Sequence, residues 1–483
     1  MDNLQQVISS TSGMGRRKFL QTSAGLAVGG AGLAGNSKKV LGANDRVRLA
    51  VCGIRGRGFA HVEGYSRIPN AEVAAICDVD DNVLRERVSD MEKKGIPKPK
   101  TYVDVRQLLE DKSIDAVSIA TPNHWHSLMA IWACQAGKDV YVEKPCSHNW
   151  WEGHQLVLAS RRYNRIVQHG TQSRSSQAVM QGIGKIQSGL IGDLYLSRGL
   201  CFKWRDTIGH AAVEPVPAGV DYNLWTGPAP NHGFTQNRFH YNWHWLWCYG
   251  NGDIGNQGIH QVDLARWGLG VGFPNRVSAL GGHFMFDDDQ ETPNTLNCAF
   301  EYDLPGGKRK MLEFEVRHWI ANHEGEIGVE SDREQHEAPK QEGHPKLGPL
   351  AGTRNTIGNI FYGSKGYLSM DEDADTHKVW LGKEATPGPA ADVGGDFNQV
   401  GQGHFENFIA CVRSRRREDL HAPIEDGHIS CTLVHLANAS YRLKRMINFN
   451  PETQRVIDDP EADLLLRDGD RGYRAPFVVP EEV

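Results

Sequence analysis

Residues 46–58 read Arg46-Val-Arg-Leu-Ala-Val-Cys52-Gly53-Ile-Arg-Gly56-Arg-Gly58. The short apolar run predicts a buried parallel strand, and the glycines predict a tight turn opening a helix from Phe59 to Ser66. A second run, Glu72 to Cys77, ends at Asp78, twenty residues past Gly58. Strand, glycine turn, helix, strand and acid, in that order, form the signature of a dinucleotide-binding unit. Its glycines let backbone N–H groups approach a pyrophosphate at a helix N-terminus. In the G-x-G-x-x-G register Gly53 is first and Gly58 third. Arg55 holds the second position, with Gly56 beside it. Asp78 would bind ribose hydroxyls and favours NAD, because a carboxylate there repels a 2′-phosphate. Arg55 and Arg57 keep NADP as the lesser alternative.

The alternation continues outward from this unit. Helices are expected over Val83 to Lys93 and Val105 to Glu110, and a strand over Ile114 to Ala120, ending in Thr121-Pro122-Asn123. A helix from His124 to Ala136, closed by Gly137, leads to the strand Asp139 to Val142, which ends in Glu143-Lys144-Pro145. Such alternation implies an α/β fold with a doubly wound parallel sheet, whose ligands bind beyond the strands' carboxyl ends. Asp78, Thr121, Pro122, Asn123, Glu143 and Lys144 then share one rim, and His126, just inside the following helix, is a further cofactor-binding candidate. After about residue 165 the pattern changes to strands joined by turns, such as Leu296 to Tyr302 and Lys310 to Val316 around Asp303-Leu-Pro-Gly306-Gly307. Helices are expected from Gly403 to Val412 and from Ile429 to Met446, and 321–350 reads as a long exposed loop. The expected division is 44–168 for the nucleotide domain, 169–448 for a second domain and 449–483 for a tail that wraps a neighbouring subunit.

Composition bounds the function. The chain has 483 residues, 39% of them hydrophobic and 23% charged, as in globular proteins of more than one domain. A net charge of −6 argues against nucleic acid as a partner. The nine cysteines form no CxxC pair and read as buried free thiols. No His, Asp or Glu grouping has the spacing of metal ligands, so no metal is expected. Near the start, Gly15-Arg-Arg-Lys-Phe-Leu20 precedes an Ala/Gly/Leu stretch and the small-residue exit Leu41-Gly42-Ala43. That is a secretion pattern, and Arg16-Arg17 resembles a twin-arginine signal. Residues 1–43 are therefore expected to direct export to the periplasm. The stretch is too Gly-rich to make a stable membrane span.

Two further motifs bear on chemistry: Gly250-Asn-Gly252-Asp-Ile-Gly-Asn256-Gln-Gly258-Ile-His260-Gln-Val-Asp263 and Phe361-Tyr-Gly363-Ser-Lys365-Gly366-Tyr-Leu. Together with Thr121-Pro122-Asn123 and Glu143-Lys144-Pro145, they resemble the glucose–fructose oxidoreductase, inositol dehydrogenase and rhizopine catabolism (Gfo/Idh/MocA) family over roughly residues 46–445. The resemblance implies a Rossmann domain followed by an α/β domain with a large open, mainly antiparallel sheet. It also implies homodimers or homotetramers.

Within that resemblance Lys144 would bond the reacting hydroxyl and His260 would take its proton. Asn256 stands where many members have Asp; an amide orients substrate but is no base, and Asp253 would compensate in part. Asp263, one turn after His260, would either orient that ring or pair structurally. The aromatic run Phe239 to Tyr249 leads straight into the motif. It reads either as core or as a surface for sugar rings. Arg238, Trp243 and His244 are its candidate substrate residues, beside Lys144, Asn256 and His260.

The leading expectation is an exported oxidoreductase. It would move hydride between a sugar or cyclitol hydroxyl and a tightly bound NAD. A glycoside hydrolase using bound NAD in a closed cycle of oxidation, elimination, hydration and reduction is the alternative. A sugar-binding protein without catalysis is the third.

Overall fold

A computed structural model describes residues 46–318, 321–329, 355–391, 397–467 and 472–483. The leader read at 1–43, and most of the loop read at 321–350, lie outside the described residues.

Six strands form the first sheet: β1 (Val47–Cys52), β2 (Ala71–Cys77), β3 (Lys100–Tyr102), β4 (Ala116–Ile119), β5 (Asp139–Val142) and β6 (Val167–His169). All pair in parallel, in the order β3-β2-β1-β4-β5-β6. This order reverses direction between β1 and β4, which opens a crevice beyond their carboxyl ends. Every residue of β4 and β5 is buried. A strand covered on both faces has no polar side to show, so it reads as an unbroken apolar run. The crossovers include α1 (Arg57–Ser66), α2 (Asp81–Lys93), α3 (Val105–Glu110), α4 (Asn123–Gln135) and α5 (Trp150–Arg162).

The second sheet has ten strands: β7 (Leu194–Phe202), β8 (Arg276–Gly282), β9 (Thr295–Leu304), β10 (Lys308–Arg317), β11 (Thr356–Gly363), β12 (Gly366–Asp371), β13 (Thr376–Leu381), β14 (Thr386–Pro387), β15 (Ile447–Asn450) and β16 (Arg455–Val456). Their order is β14-β13-β12-β11-β7-β10-β9-β8-β15-β16. Only β7 and β10 pair in parallel; every other neighbouring pair is antiparallel. The turn of the motif at Phe361–Leu368 joins β11 to β12 as a hairpin.

Four helices accompany the second sheet in the chain: α6 (Gln177–Gln187), α7 (Tyr222–Thr226), α8 (Gly252–Asn256) and α9 (Gly258–Leu269). Helix α9 packs against β7 and β10. It comes so close that a Cβ on Gly258 would lie 2.3 Å from the Phe314 ring. This close approach carries His260 in with the helix.

Helix α10 (Phe397–Ser414) returns to the first sheet. Phe405, Phe408 and Ile409 bury themselves with Val51, Val62 and Tyr65 in one core, each such burial contributing about 1.5–3 kcal/mol. Helix α11 (Ile424–Leu443) packs on α5, α9 and β8. Both helices start earlier than the expected Gly403 and Ile429, because their first turns lack an apolar periodicity. The tail also departs from expectation. It forms α12 (Pro460–Arg467), and Phe477, Val479 and Val483 are buried against this same chain. The Phe477 ring sits 5.4 Å from Trp125 of α4. The Glu481 carbonyl accepts from Gln155 of α5 at 3.0 Å.

Candidate active site

The carboxyl ends of the first sheet border a cleft of about 420 Å³. Its floor is the glycine turn. Gly53 has φ +78°, and a Cβ there would lie 2.7 Å from the Ala120 carbonyl oxygen. A Cβ on Gly58 would strike the Gly53 oxygen at 2.0 Å. These two glycines permit the tight turn. Gly56, beside the expected register position, has nothing within 4 Å of where its Cβ would stand. It is also the N-cap of α1, and no side chain caps that end. Open space in front of uncapped N–H groups is what a pyrophosphate needs. Gly58 itself lies behind the turn and does not line the cleft.

Asp78 ends β2 and accepts from the Ile54 amide at 2.9 Å and the Asp80 amide at 3.1 Å. Burial pushes its carboxyl up to about 6, partly offset by those amide bonds. It lines the cleft at the place a ribose would take. Arg57 donates to Glu143 at 2.8 Å, which engages it away from any 2′-phosphate. Arg55 reaches the cleft wall. Thr121, Pro122 and Asn123 form the opposite lip. The Thr121 hydroxyl is buried without a hydrogen-bond partner, and such an orphan at the lip of a nucleotide cleft fits a ligand that completes it. The residues present thus suit NAD on three counts: the open Gly56, the unused Thr121 hydroxyl and the Asp78 carboxylate.

His126 joins two rim loops. Its ring nitrogens stand 2.6 Å from the Thr121 and Pro145 carbonyl oxygens. Burial lowers its pKa, and the bonds to these two carbonyls oppose that shift. Glu143 also organises the rim. One of its oxygens accepts from Arg57, from His61 at 3.0 Å and from Gln172 at 2.9 Å; the other accepts the Lys144 amide at 3.1 Å. Burial opposes its charge, yet Arg57 and His61 hold its carboxyl well below the usual range. Glu143 therefore braces the loop that presents Lys144, and its oxygens are engaged by protein donors.

Lys144 meets the second motif. Its Nζ donates to the Asn256 carbonyl at 2.9 Å and lies 3.4 Å from Asn256 Oδ1. Burial lowers its pKa to about 8, with Glu143 and Asp253 pulling it up and Arg57 and Lys203 pulling it down. The Asn256 amide donates in turn to Asp253 at 3.1 Å. Asp253 also accepts from Arg205 at 2.8 and 2.9 Å and from His318 at 2.8 Å. The negative charge that Asn256 lacks is thus supplied one shell behind it.

His260 lies one turn beyond Asn256 and is 5% exposed, set back from the cleft surface. Burial, and then the charge of Lys144, push its pKa well below the ordinary value. The ring is neutral, the form that accepts a proton. Asp263 does not orient it: that carboxylate accepts from Arg174 at 2.6 and 2.9 Å and from Ser430 at 2.6 Å. The acid behind His260 is Glu372, whose Oε1 stands 4.0 Å from Nδ1. Glu372 follows the end of β12, bonds Ser173, Gln261 and Gln257, and is pushed up to about 7 by burial. No sequence motif marks it; an acid directly after a strand is too common a feature to single out.

The aromatic run divides. Phe239, Trp243, Leu246 and Tyr249 join Tyr222, Trp225 and Phe234 in a core of their own. Trp243 and His244 also line the cleft, stacked with ring centroids 3.6 Å apart. Burial brings His244 to about 3, so it presents a neutral ring. Arg238 stays outside: it donates to the Gly233 carbonyl at 2.7 Å and lines no part of the cleft.

Comparison with known proteins fits this geometry. The family model GFO_IDH_MocA, an oxidoreductase family NAD-binding Rossmann fold, matches residues 47–171. The model of the family's C-terminal alpha/beta domain matches residues 179–278 and 398–477. A glycosyl hydrolase family 109 protein of Shewanella pealeana is 32% identical over 154 residues, 31% of this chain and 34% of the relative. An alpha-N-acetylgalactosaminidase of Shewanella oneidensis is 31% identical over 152 residues, 31% of this chain and 33% of the relative. The chain thus spans about a third of the length of the curated relatives it matches. A levoglucosan dehydrogenase solved with NADH and levoglucosan superposes with a TM-score of 0.60 at 16% identity, covering 83% of this chain and 99% of that one. An identity that low speaks to the fold alone. The two matched segments, the parallel sheet with its glycine turn and the large mixed sheet behind it, make this chain a member of the Gfo/Idh/MocA oxidoreductase family, with an NAD-binding Rossmann domain.

Proposed function

We propose that this protein oxidises a hydroxyl of a sugar or cyclitol, with NAD held in the cleft. The observation that carries the reading is the meeting of Lys144 and Asn256 at 2.9 Å, with the neutral His260 one turn beyond and the glycine turn lining the same cleft. NAD, when bound, supplies the hydride acceptor. Lys144 donates to the substrate oxygen and stabilises the negative charge that grows there as the C–H bond breaks. His260, which burial and Lys144 keep unprotonated beforehand, takes the hydroxyl proton. Asn256, held by Asp253, orients the Lys144 ammonium. Trp243 and His244 offer a flat wall to the C–H face of a ring.

A second reading has its own support. The similarity to the family 109 hydrolases favours a redox-neutral hydrolase. There the same groups oxidise a sugar carbon, the neighbouring C–O bond is lost by elimination, water adds, and the carbon is reduced again. Both readings share the first step.

Export by the twin-arginine route belongs to the proposal as well. It is supported by Arg16-Arg17 ahead of a short apolar stretch, and a cofactor bound before export would suit either reaction. So does self-association, supported by the exposed apolar Leu280 on β8 and Tyr195 on β7. Among the described residues no helix is long and apolar enough to cross a membrane.

The test is turnover by the purified, NAD-loaded chain on a panel of free sugars and glycosides. NADH accumulating in step with sugar consumption supports the dehydrogenase. Aglycone release without net NADH supports the hydrolase. A chain that retains no NAD, and changes no sugar when NAD is added, refutes both.

A further inference from the structure

Two residues past Lys144, the rim loop places Cys146 against His169 at the end of β6 and Cys431 in the middle of α11. The two sulfurs stand 3.7 Å apart, and the Cys431 sulfur is 3.9 Å from His169 Nε2. The three ligand atoms all lie within 4.8 Å of one another, and all three side chains are fully buried. From these positions we infer that Cys146, His169 and Cys431 bind a zinc ion.

The distances suit that ion. Zinc binds sulfur at about 2.3 Å and imidazole nitrogen at about 2.0–2.1 Å, so a tetrahedral site sets its sulfurs about 3.8 Å apart. Charge suits it too. Two thiolates and a neutral imidazole cancel a divalent cation, whereas a monovalent one leaves a net negative charge among buried side chains. Binding would release two protons, one from each thiol.

The surroundings fix the third ligand. Thr171 Oγ1 lies 3.3 Å from His169 Nδ1. An N–H at Nδ1 donating there leaves the Nε2 lone pair facing the sulfurs, the usual support for a metal-bound histidine. Gly427 makes room: a Cβ on it would lie 2.7 Å from Cγ of the His169 ring. Gly427 is four residues before Cys431, on the same face of α11. The ion would tie the Lys144 loop to α11.

The test starts from the full chain, purified under reducing conditions without chelator and analysed for metals. It should carry about one zinc per chain, or take up about one on titration. Cobalt in its place should give the intense absorption of thiolate-to-cobalt charge transfer. Cys431→Ala should lower the zinc content at least tenfold, whereas Cys248→Ala, outside the trio, should leave it unchanged. If Cys431→Ala does not fold, titrating the wild-type chain with cobalt still decides the matter. A chain that takes up neither metal, a Cys146–Cys431 disulfide in the reduced preparation, or full zinc in Cys431→Ala would overturn the assignment.

Discussion

Replacing Lys144 with methionine keeps the length of the side chain and removes its charge, so the structure sets two opposing effects. Burial brings the ammonium from 10.5 down to about 8, a penalty of about 3 kcal/mol on the folded protein at neutral pH. Against this stands the bond from Nζ to the Asn256 carbonyl at 2.9 Å, whose loss costs about 1.5–3 kcal/mol. The two nearly cancel, and the protein without cofactor should be as stable in the variant as in wild type, or up to about 1.5 kcal/mol more stable.

The pH dependence separates the two effects. A lysine with a lowered folded pKa binds fewer protons when folded than when unfolded between about 8 and 10.5. Wild type therefore gains stability as pH rises through that window, and the methionine variant does not. The variant's stability relative to wild type should fall by about 2–3 kcal/mol from one side of the window to the other. Urea unfolding of both proteins, followed by tryptophan fluorescence below pH 8 and near 10.5, reads this difference directly. Sugar oxidation should fall by about 10²–10³ in kcat at the same time. A variant several kcal/mol less stable at neutral pH, or a difference that does not change with pH, refutes the buried ammonium.

Other outcomes follow from the same site. His260→Asn should cost about 10²–10⁴ in kcat with NAD affinity unchanged, because it removes a proton acceptor set back from the cleft; equal kcat excludes His260 as the base. Glu372→Gln should remove a stability loss that wild type shows as pH rises from 4.5 to about 7, since a carboxyl with a raised pKa holds its proton longer when folded. Thermal unfolding of both across that range tests it, and parallel curves count against it. Asp78→Ala should weaken NAD about tenfold and narrow the preference over NADP, as measured by calorimetry; an unchanged ratio removes Asp78 from cofactor selection.

The first domain was legible because its determinants are local. Apolar runs, glycines and the acid at residue 78 sit within a few turns of one another, and the strand order follows from the crossovers. The second sheet was legible only as a class. Its order depends on β7 lying between β10 and β11, a pairing that joins residues more than a hundred positions apart. The motifs led to the expectation that Lys144 and His260 meet over the nicotinamide; the direct contact that Lys144 makes is with Asn256, and neither that contact nor the acid behind His260 was foreseen. Spacing along α9 left Asp263 either to orient His260 or to pair structurally, and the buried Arg174 takes it as a structural partner. Glu372 arrives from another sheet without a pattern to announce it. The Cys146, His169 and Cys431 trio was hidden for the same reason: its two thiols are 285 residues apart. Arg238 was chosen for its place in an aromatic run, yet its side chain turns back on its own loop.

The central claim is that Lys144 acts on a substrate oxygen beside bound NAD. The most direct measurement is single-turnover reduction of the nicotinamide by a substrate sugar in NAD-loaded wild type and in Lys144→Ala, with the NAD content of both determined beforehand. NAD content should be equal and reduction at least about 100-fold slower in the variant. Equal rates, or an NAD site lost along with the lysine, would contradict it.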